Sequence, residues 1–171
     1  MRRKDRELSN EEAYKIIDDC EYAIISCVRD NGEIFSIPLS IARENDSIFI
    51  HGAPEGSKAE LFTQGREVSI VCVSYNQVPV LSDAEFEAIK DNTSMLGKKA
   101  FTTEYTSAIA RAKVYEVSDE PTMKKALKLL CEKYCKEYMS AFETAINGQF
   151  HRMKIYEFKI QSVSAKAKKI K

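Results

Sequence analysis

The chain has 171 residues, 44% of them hydrophobic and 30% charged, which are ordinary values for a globular protein that builds one core. Its 26 lysine and arginine residues balance 26 aspartate and glutamate residues, which argues against a dedicated nucleic-acid binder, since that class carries a basic excess. No apolar run approaches the ~18 residues of a membrane span, and the charged N-terminus lacks the apolar stretch of a secretory signal. Five scattered cysteines in a chain of this size do not indicate a disulfide framework. We therefore expect a reduced, cytoplasmic protein whose residues 1–171 form a single domain.

The first third of the sequence predicts a short helix followed by antiparallel strands. Ser9 and Glu12 have the spacing of a capping box, which marks the start of a helix. Strand-forming residues follow at 22–28, and Asn31-Gly32 is a strong signal for a tight turn into the next strand. We expect this hairpin to begin an antiparallel meander.

A second strand is predicted from Ile34 to Arg43, because apolar and small residues alternate along it. Pro38 lies in its middle, and since proline donates no backbone hydrogen bond, this position should lie at a sheet edge or at a bulge. A third strand is predicted at 48–51. It is followed by a glycine-rich turn and by a short helix at 57–64.

Strands and helices alternate through the rest of the chain. About six mostly antiparallel strands with helices at the periphery predict a mostly β protein, a small antiparallel β-barrel decorated by helices. In chain order the pattern predicts a central strand at 68–73, a helical turn at 82–85, a loop at 95–97 and a long strand at 105–117. The small residues Ala108, Ala110 and Ala112 of the long strand are expected to be buried or interfacial. A helix is predicted from Asp119, with an apolar stripe from Met123 to Tyr138, followed by a helical piece at 140–146, a strand at 154–163 and a basic tail at 164–171.

The segment from His51 to Lys58 carries the best anion site visible in the sequence. A strand ends there, a glycine-rich turn follows, and a helix begins at Ser57. Helix N-termini present unpaired amides to anions such as phosphate. A lysine in the first helical turn opposes the helix dipole, unless an anion lies between its ammonium and the amides. The alternative is a surface lysine paired with Glu55.

The second strand supplies a separate candidate surface. Ser36, Pro38 and Ser40 form a small, polar face against which a flat ligand could lie close to the backbone. The alternative is the solvent-facing side of an antiparallel sheet, which is polar in any case.

Metal binding and hydrolytic chemistry have little support in the sequence. Cys131 and Cys135 are four residues apart on a predicted helix, but no nearby histidine or cysteine pair completes a four-ligand set. They are better explained as core thiols, and the isolated His151 as a surface or hydrogen-bonded histidine. We predict no metal site.

Four segments, whose order and spacing are intact, carry a resemblance to a known family. They are 2–7, 37–40, 48–58 and 105–112. Together they resemble the nitroimidazole-resistance (Nim-type) branch of the pyridoxamine 5′-phosphate oxidase-like flavin-binding split barrels. The resemblance covers residues 1–75 and 105–135, whereas residues 76–104 match no part of the family pattern.

The resemblance implies an antiparallel split β-barrel of the FMN-binding type, with FAD as a possible alternative, and a homodimer with flavin at the subunit interface. Ser57 and Lys58 would hold the flavin phosphate, and the turn after His51 would border the ribityl chain. The second strand would line the isoalloxazine ring, and residues 105–107 would approach from the partner subunit. The cofactor-binding residues implied are Ser36, Ile37, Pro38, Leu39, Ser40, His51, Gly52, Ala53, Ser57, Lys58, Tyr105, Thr106 and Ser107.

Three functions follow as expectations. The first is a flavin-dependent oxidoreductase that reduces a nitroimidazole-type or related small acceptor, with His51 as the catalytic residue because imidazole titrates near neutral pH. The second is a flavin carrier or sensor without turnover. The third is a haem-binding protein on the same barrel. Neither a nucleic acid nor a membrane is expected as a partner.

Overall fold

The computed structural model describes residues 3–148 and 152–170. Within them, eight strands form one antiparallel sheet that does not close, in the order β3-β2-β6-β7-β8-β5-β4 with β1 paired to β8. The split-barrel expectation is thereby confirmed. The strands are β1 (Glu7–Leu8), β2 (Ala23–Val28), β3 (Ile34–Leu39), β4 (Ala42–Glu44), β5 (Ser47–Gly52), β6 (Glu67–Gln77), β7 (Glu104–Val117) and β8 (Lys154–Lys168).

Helices cover the sheet and fill its connections. The Ser9 capping box is present: the Glu12 amide donates to Ser9 Oγ at 3.2 Å, and the Ser9 amide donates to Glu12 Oε2 at 2.8 Å. The helices are α1 (Asn10–Asp19), α2 (Ser57–Leu61), α3 (Asp83–Glu87), α4 (Thr93–Met95), α5 (Glu120–Tyr134) and α6 (Phe142–Asn147), with 3₁₀ turns at Lys4–Arg6 and Lys136–Ala141 and a π-helical turn at Leu96–Ala100.

The predicted strand from Ile34 to Arg43 is wrong as one element, because it divides into β3 and β4. These two strands lie at opposite edges of the sheet, and only Ser40 and Ile41 join them. The expected meander is therefore two hairpins, β2–β3 and β4–β5, one at each edge. The edge position predicted for Pro38 is confirmed, since β3 pairs only with β2.

Two apolar clusters hold this arrangement together. The larger one fills the concave side of the sheet under α1, and Phe62 lies within it, edge-on to Phe35, Tyr156 and Phe158 with ring centroids 5.4–6.4 Å apart. The alanines at 108, 110 and 112 are buried in this cluster, so their role is tight core packing. The smaller cluster lies where α5 and α6 cover β5 and the start of β8.

Three further expectations differ from the structure. Residues 95–97 are helical, and Asn92 caps α4 by accepting a 3.0 Å hydrogen bond from the Met95 amide. Tyr138 lies beyond α5 and is 74% exposed. The expected basic tail is mostly strand, because β8 continues to Lys168 and pairs with both β1 and β7. Over 3–148 and 152–170, no helix is both long and apolar enough to cross a membrane.

Candidate functional site

The turn between β5 and α2 forms the centre of the candidate site. Gly56 has a φ of 94°, a conformation that favours glycine, and it redirects the chain into α2. Leu61 and Phe62 at the end of α2 are buried, so they fix this short helix against the core. Ser57 and Ala53 remain exposed on its open side. The backbone therefore presents residues 51–58 on a rigid base.

Lys58 folds back over the end of β5. A β-carbon built on Gly52 would lie 3.1 Å from Lys58 Cε, 3.2 Å from Lys58 Nζ and 3.7 Å from Tyr156 Cε2. A side chain at position 52 would therefore have to displace the end of the lysine. No ion pair between Lys58 and Glu55 occurs in the described part of the chain.

Tyr156, on β8, lines the inner side of this position through its ring edge, and its hydroxyl is buried in the core without a hydrogen-bond partner among the described residues. Tyr156 is fully buried, and burial raises the pKa of the phenol above its ordinary value. The charged groups that act on the phenol are those of Lys154 and Glu116. The group that can meet an anion such as a phosphate at this turn is therefore the Lys58 ammonium.

His51 is the next-to-last residue of β5, opposite Ile155 on β8, and it is exposed. The ring still loses part of its hydration, which lowers its pKa below 6.5, and the Lys58 ammonium lowers it further. The lowered pKa therefore favours the uncharged imidazole. In that form it can orient a ligand through one donor and one acceptor.

The residues expected to line a flat ligand divide between the two faces of β3. Ser36, Pro38 and Ser40 point outward and are exposed, as the sequence predicts. Ile37 and Leu39 are partly buried and pack against the core. Only the backbone of these two residues is therefore available on the outer face.

The two candidate surfaces lie on consecutive elements of the chain. The chain passes from β3 through Ser40 and Ile41 into β4, and β4 pairs with β5, which ends at the turn that carries Lys58.

Tyr105, Thr106 and Ser107 lie at the far end of the sheet. His51 is opposite Ile155 of β8, whereas Tyr105 is opposite Lys168. These thirteen positions correspond to roughly 40 Å along the strand at about 3.3 Å per residue. A groove of about 610 Å³ lies beside Tyr105 and Thr106. One subunit therefore does not bring residues 105–107 to Lys58.

The sequence interpretation missed Tyr156. The sequence gives only a weak signal for it, because any apolar residue at this position of the strand would produce the same alternating pattern. It also left His151 open, and that residue lies outside the described residues. The described part of the chain contains no cluster of three or more His, Cys, Asp or Glu residues that could hold a metal.

Comparisons with known proteins place this geometry in context. Residues 9–167 match the family model described as pyridoxamine 5′-phosphate oxidase. None of the curated protein sequences compared with the chain is similar enough to count as a match.

Several solved structures share the fold at low sequence identity. A candidate 5-nitroimidazole antibiotic resistance protein of Bacteroides thetaiotaomicron is 17% identical, with 94% of this chain and 86% of that chain covered and a TM-score of 0.69. An FAD and heme binding protein of Mycobacterium smegmatis is 16% identical, with 94% and 72% covered and a TM-score of 0.73. An FAD binding protein of the same organism is 12% identical, with 94% and 96% covered and a TM-score of 0.62.

These structures support the fold alone, whereas the family model spans most of the sequence, from the cap of α1 to the end of β8. The protein therefore belongs to the pyridoxamine 5′-phosphate oxidase family.

Proposed function

We propose that the protein binds a flavin, FMN or FAD, and acts as a flavin-dependent oxidoreductase on a nitroimidazole-type or related small acceptor. The observation that carries the proposal is Lys58, folded over Gly52 at the glycine-rich turn between β5 and α2. It offers a cation beside a helix start, which suits a phosphate monoester. The structural neighbours named for FAD, for FAD and heme, and for 5-nitroimidazole resistance support the same cofactor and acceptor class.

Each residue has a separate task in this proposal. Lys58 binds the phosphate, and Gly52 leaves room for the lysine side chain. Ser36, Pro38 and the backbone between them present a flat surface to the ring. A bound flavin would supply the electron transfer. His51 orients the acceptor by hydrogen bonding and can pass a proton to it.

The proposal includes a homodimer with the flavin at the interface, because residues 105–107 can reach Lys58 only from a second subunit. The segment 78–103 between β6 and β7 supports this point. None of its residues is buried, and two large apolar side chains lie open to solvent: Val80 is 87% exposed and Phe101 is 79% exposed. Ordering such a segment without burying it is unfavourable. A second copy of the chain would cover it.

The outer face of the sheet provides the surface for that second copy. Pro38, Ile24, Val71 and Ile109 lie opposite one another across four neighbouring strands. They form an apolar row on the side that faces away from the core. Such a row suits a two-fold interface, in which the same patch serves both subunits.

Flavin binding and turnover are tested with the purified protein. We expect it to bind FMN or FAD, to show a flavin absorption spectrum, and to be reoxidised by a nitroimidazole after reduction with a nicotinamide cofactor. Binding without reoxidation by any nitro-aromatic acceptor would indicate a carrier or sensor. A Soret band in place of flavin absorbance would indicate the haem alternative, and absence of both would refute the proposal.

The dimer is tested by sedimentation of the wild type and of Ile109→Glu, which places a charge in the apolar row. We expect a dimer for the wild type and a shift toward monomer for the variant. Tyr138→Glu is the matched control, since Tyr138 is also an exposed apolar residue but lies away from the row. A flavin-loaded wild-type monomer would refute the shared site.

A further inference from the structure

The helix α5 reaches the split in the sheet through one side chain, Tyr134. Its hydroxyl donates to the Ile41 carbonyl at 3.0 Å and accepts from the Ile41 amide at 3.1 Å. Ile41 is fully buried and lies in the two-residue crossing between β3 and β4, where no strand partner is available. Tyr134 therefore satisfies both backbone groups of the residue at which the barrel opens.

The rest of α5 holds this tyrosine in place. Lys133 donates to the Ile17 carbonyl at 3.5 Å, at the end of α1. Lys125 forms an ion pair with Glu44, the last residue of β4. Leu130, one turn before Tyr134, is buried. The helix is thus fixed to α1 on one side and to β4 on the other, and its last turn brings the tyrosine to the split.

We infer that Tyr134 is a positioning residue of the candidate flavin site. This inference rests on the proposed function. The outer end of β3 would contact the flavin ring, and the turn after β5 would hold its phosphate. These two parts are connected across the split only by Ser40 and Ile41. By binding both backbone groups of Ile41, Tyr134 sets the separation of the ring surface from the phosphate site.

One detail supports a positioning role. A hydroxyl that both donates and accepts restricts the orientation of the Ile41 peptide plane more than a single bond would. Without it, the strand edge is free to move relative to β5.

Tyr134→Phe removes only the hydroxyl and is the direct test. We expect the flavin dissociation constant to rise by roughly three- to thirtyfold, because two hydrogen bonds that favour the binding-competent arrangement are lost. The absorption maximum of the flavin at saturation should also move toward that of free flavin. Loss of stability alone would not change the spectrum of the saturated protein.

Tyr14→Phe is the matched control. It also removes one phenol hydroxyl, which donates to Asp46 at 2.6 Å in the turn after β4. We expect wild-type affinity and an unchanged spectrum for this variant. Equal effects of the two variants, or wild-type affinity and spectrum in Tyr134→Phe, would overturn the inference.

A second measurement covers the case in which Tyr134→Phe does not fold. Hydrogen exchange of the Ile41 amide in the wild type should slow when flavin is added, because binding holds the arrangement that Tyr134 stabilises. Unchanged exchange at Ile41 would overturn the inference. A wild type that binds no flavin would instead refute the proposed function.

Discussion

Replacement of Lys58 by alanine tests the centre of the candidate site. Lys58 is half-buried and folded over Gly52, so its ammonium is partly shielded from the solvent that weakens exposed ion pairs. A hydrogen bond between a charged pair is worth about 1.5–3 kcal/mol. If Lys58 binds the flavin phosphate, its loss should weaken flavin binding roughly ten- to hundredfold.

The same substitution should leave the apoprotein intact. A cation in the first turn of a helix opposes the helix dipole by about 0.3–1 kcal/mol, and α2 has only five residues, so the lower end applies. The free energy of unfolding should therefore be unchanged or slightly higher. Because the two effects have opposite signs, a general folding defect cannot imitate the expected result.

The assay is a flavin titration and a thermal melt on the same preparation of each variant. Lys58→Arg should keep most of the affinity, since it keeps the charge. Lys128→Ala should match the wild type, because Lys128 is an exposed lysine of α5 whose nearest carboxylate, on Glu132, is 3.8 Å away. If Lys58→Ala binds flavin within about twofold of the wild type, the phosphate lies elsewhere and the reasoning fails.

Three further predictions concern neighbouring residues. Gly52→Ala should weaken flavin binding about three- to tenfold in a titration, because the new methyl group displaces the end of the Lys58 side chain, whereas a melt should show little change. Tyr156→Phe should raise the free energy of unfolding of the apoprotein by about 1 kcal/mol in a denaturant titration, since it removes a buried hydroxyl without a partner; a decrease would show that the hydroxyl is already satisfied. The pKa of His51 is lowered on folding from 6.5, so the unfolded chain binds the proton more tightly and stability should fall as pH drops below about 6.5. This loss should be smaller in His51→Asn, and equal pH profiles would contradict the assignment.

Local signals in the sequence predicted the elements well. The Ser9 capping box, the turn at Asn31-Gly32 and the helix start at Asp119 each depend on neighbouring residues alone, and each is present. The edge position of Pro38 also followed from one local fact, the missing amide donor. Such features are readable because their physical cause lies within a few residues.

Features that depend on distant partners could not be predicted in this way. The alternation from Ile34 to Arg43 continues through Ser40 and Ile41, so the pattern does not show that the chain changes edges there. The backbone of Ile41 at this crossing is bound by Tyr134, which lies 93 residues away in sequence. The unpartnered hydroxyl of Tyr156 is equally hidden, since it depends on what surrounds the ring.

The groups that lack partners in one subunit lie at two ends of the sheet. The Tyr156 hydroxyl and Lys58 are near the start of β8, whereas the segment 78–103 leaves the sheet near Tyr105, which lies opposite Lys168 at the end of β8. No movement within one chain joins them, because β8 is continuous between them. A two-fold axis through the outer apolar row would reverse the strand direction in the second subunit. The end of the sheet that carries Lys58 in one subunit would then lie near the end that carries segment 78–103 in its partner. We therefore infer that flavin binding and dimerisation are coupled, so that flavin should strengthen the dimer and the dimer should bind flavin more tightly than the monomer.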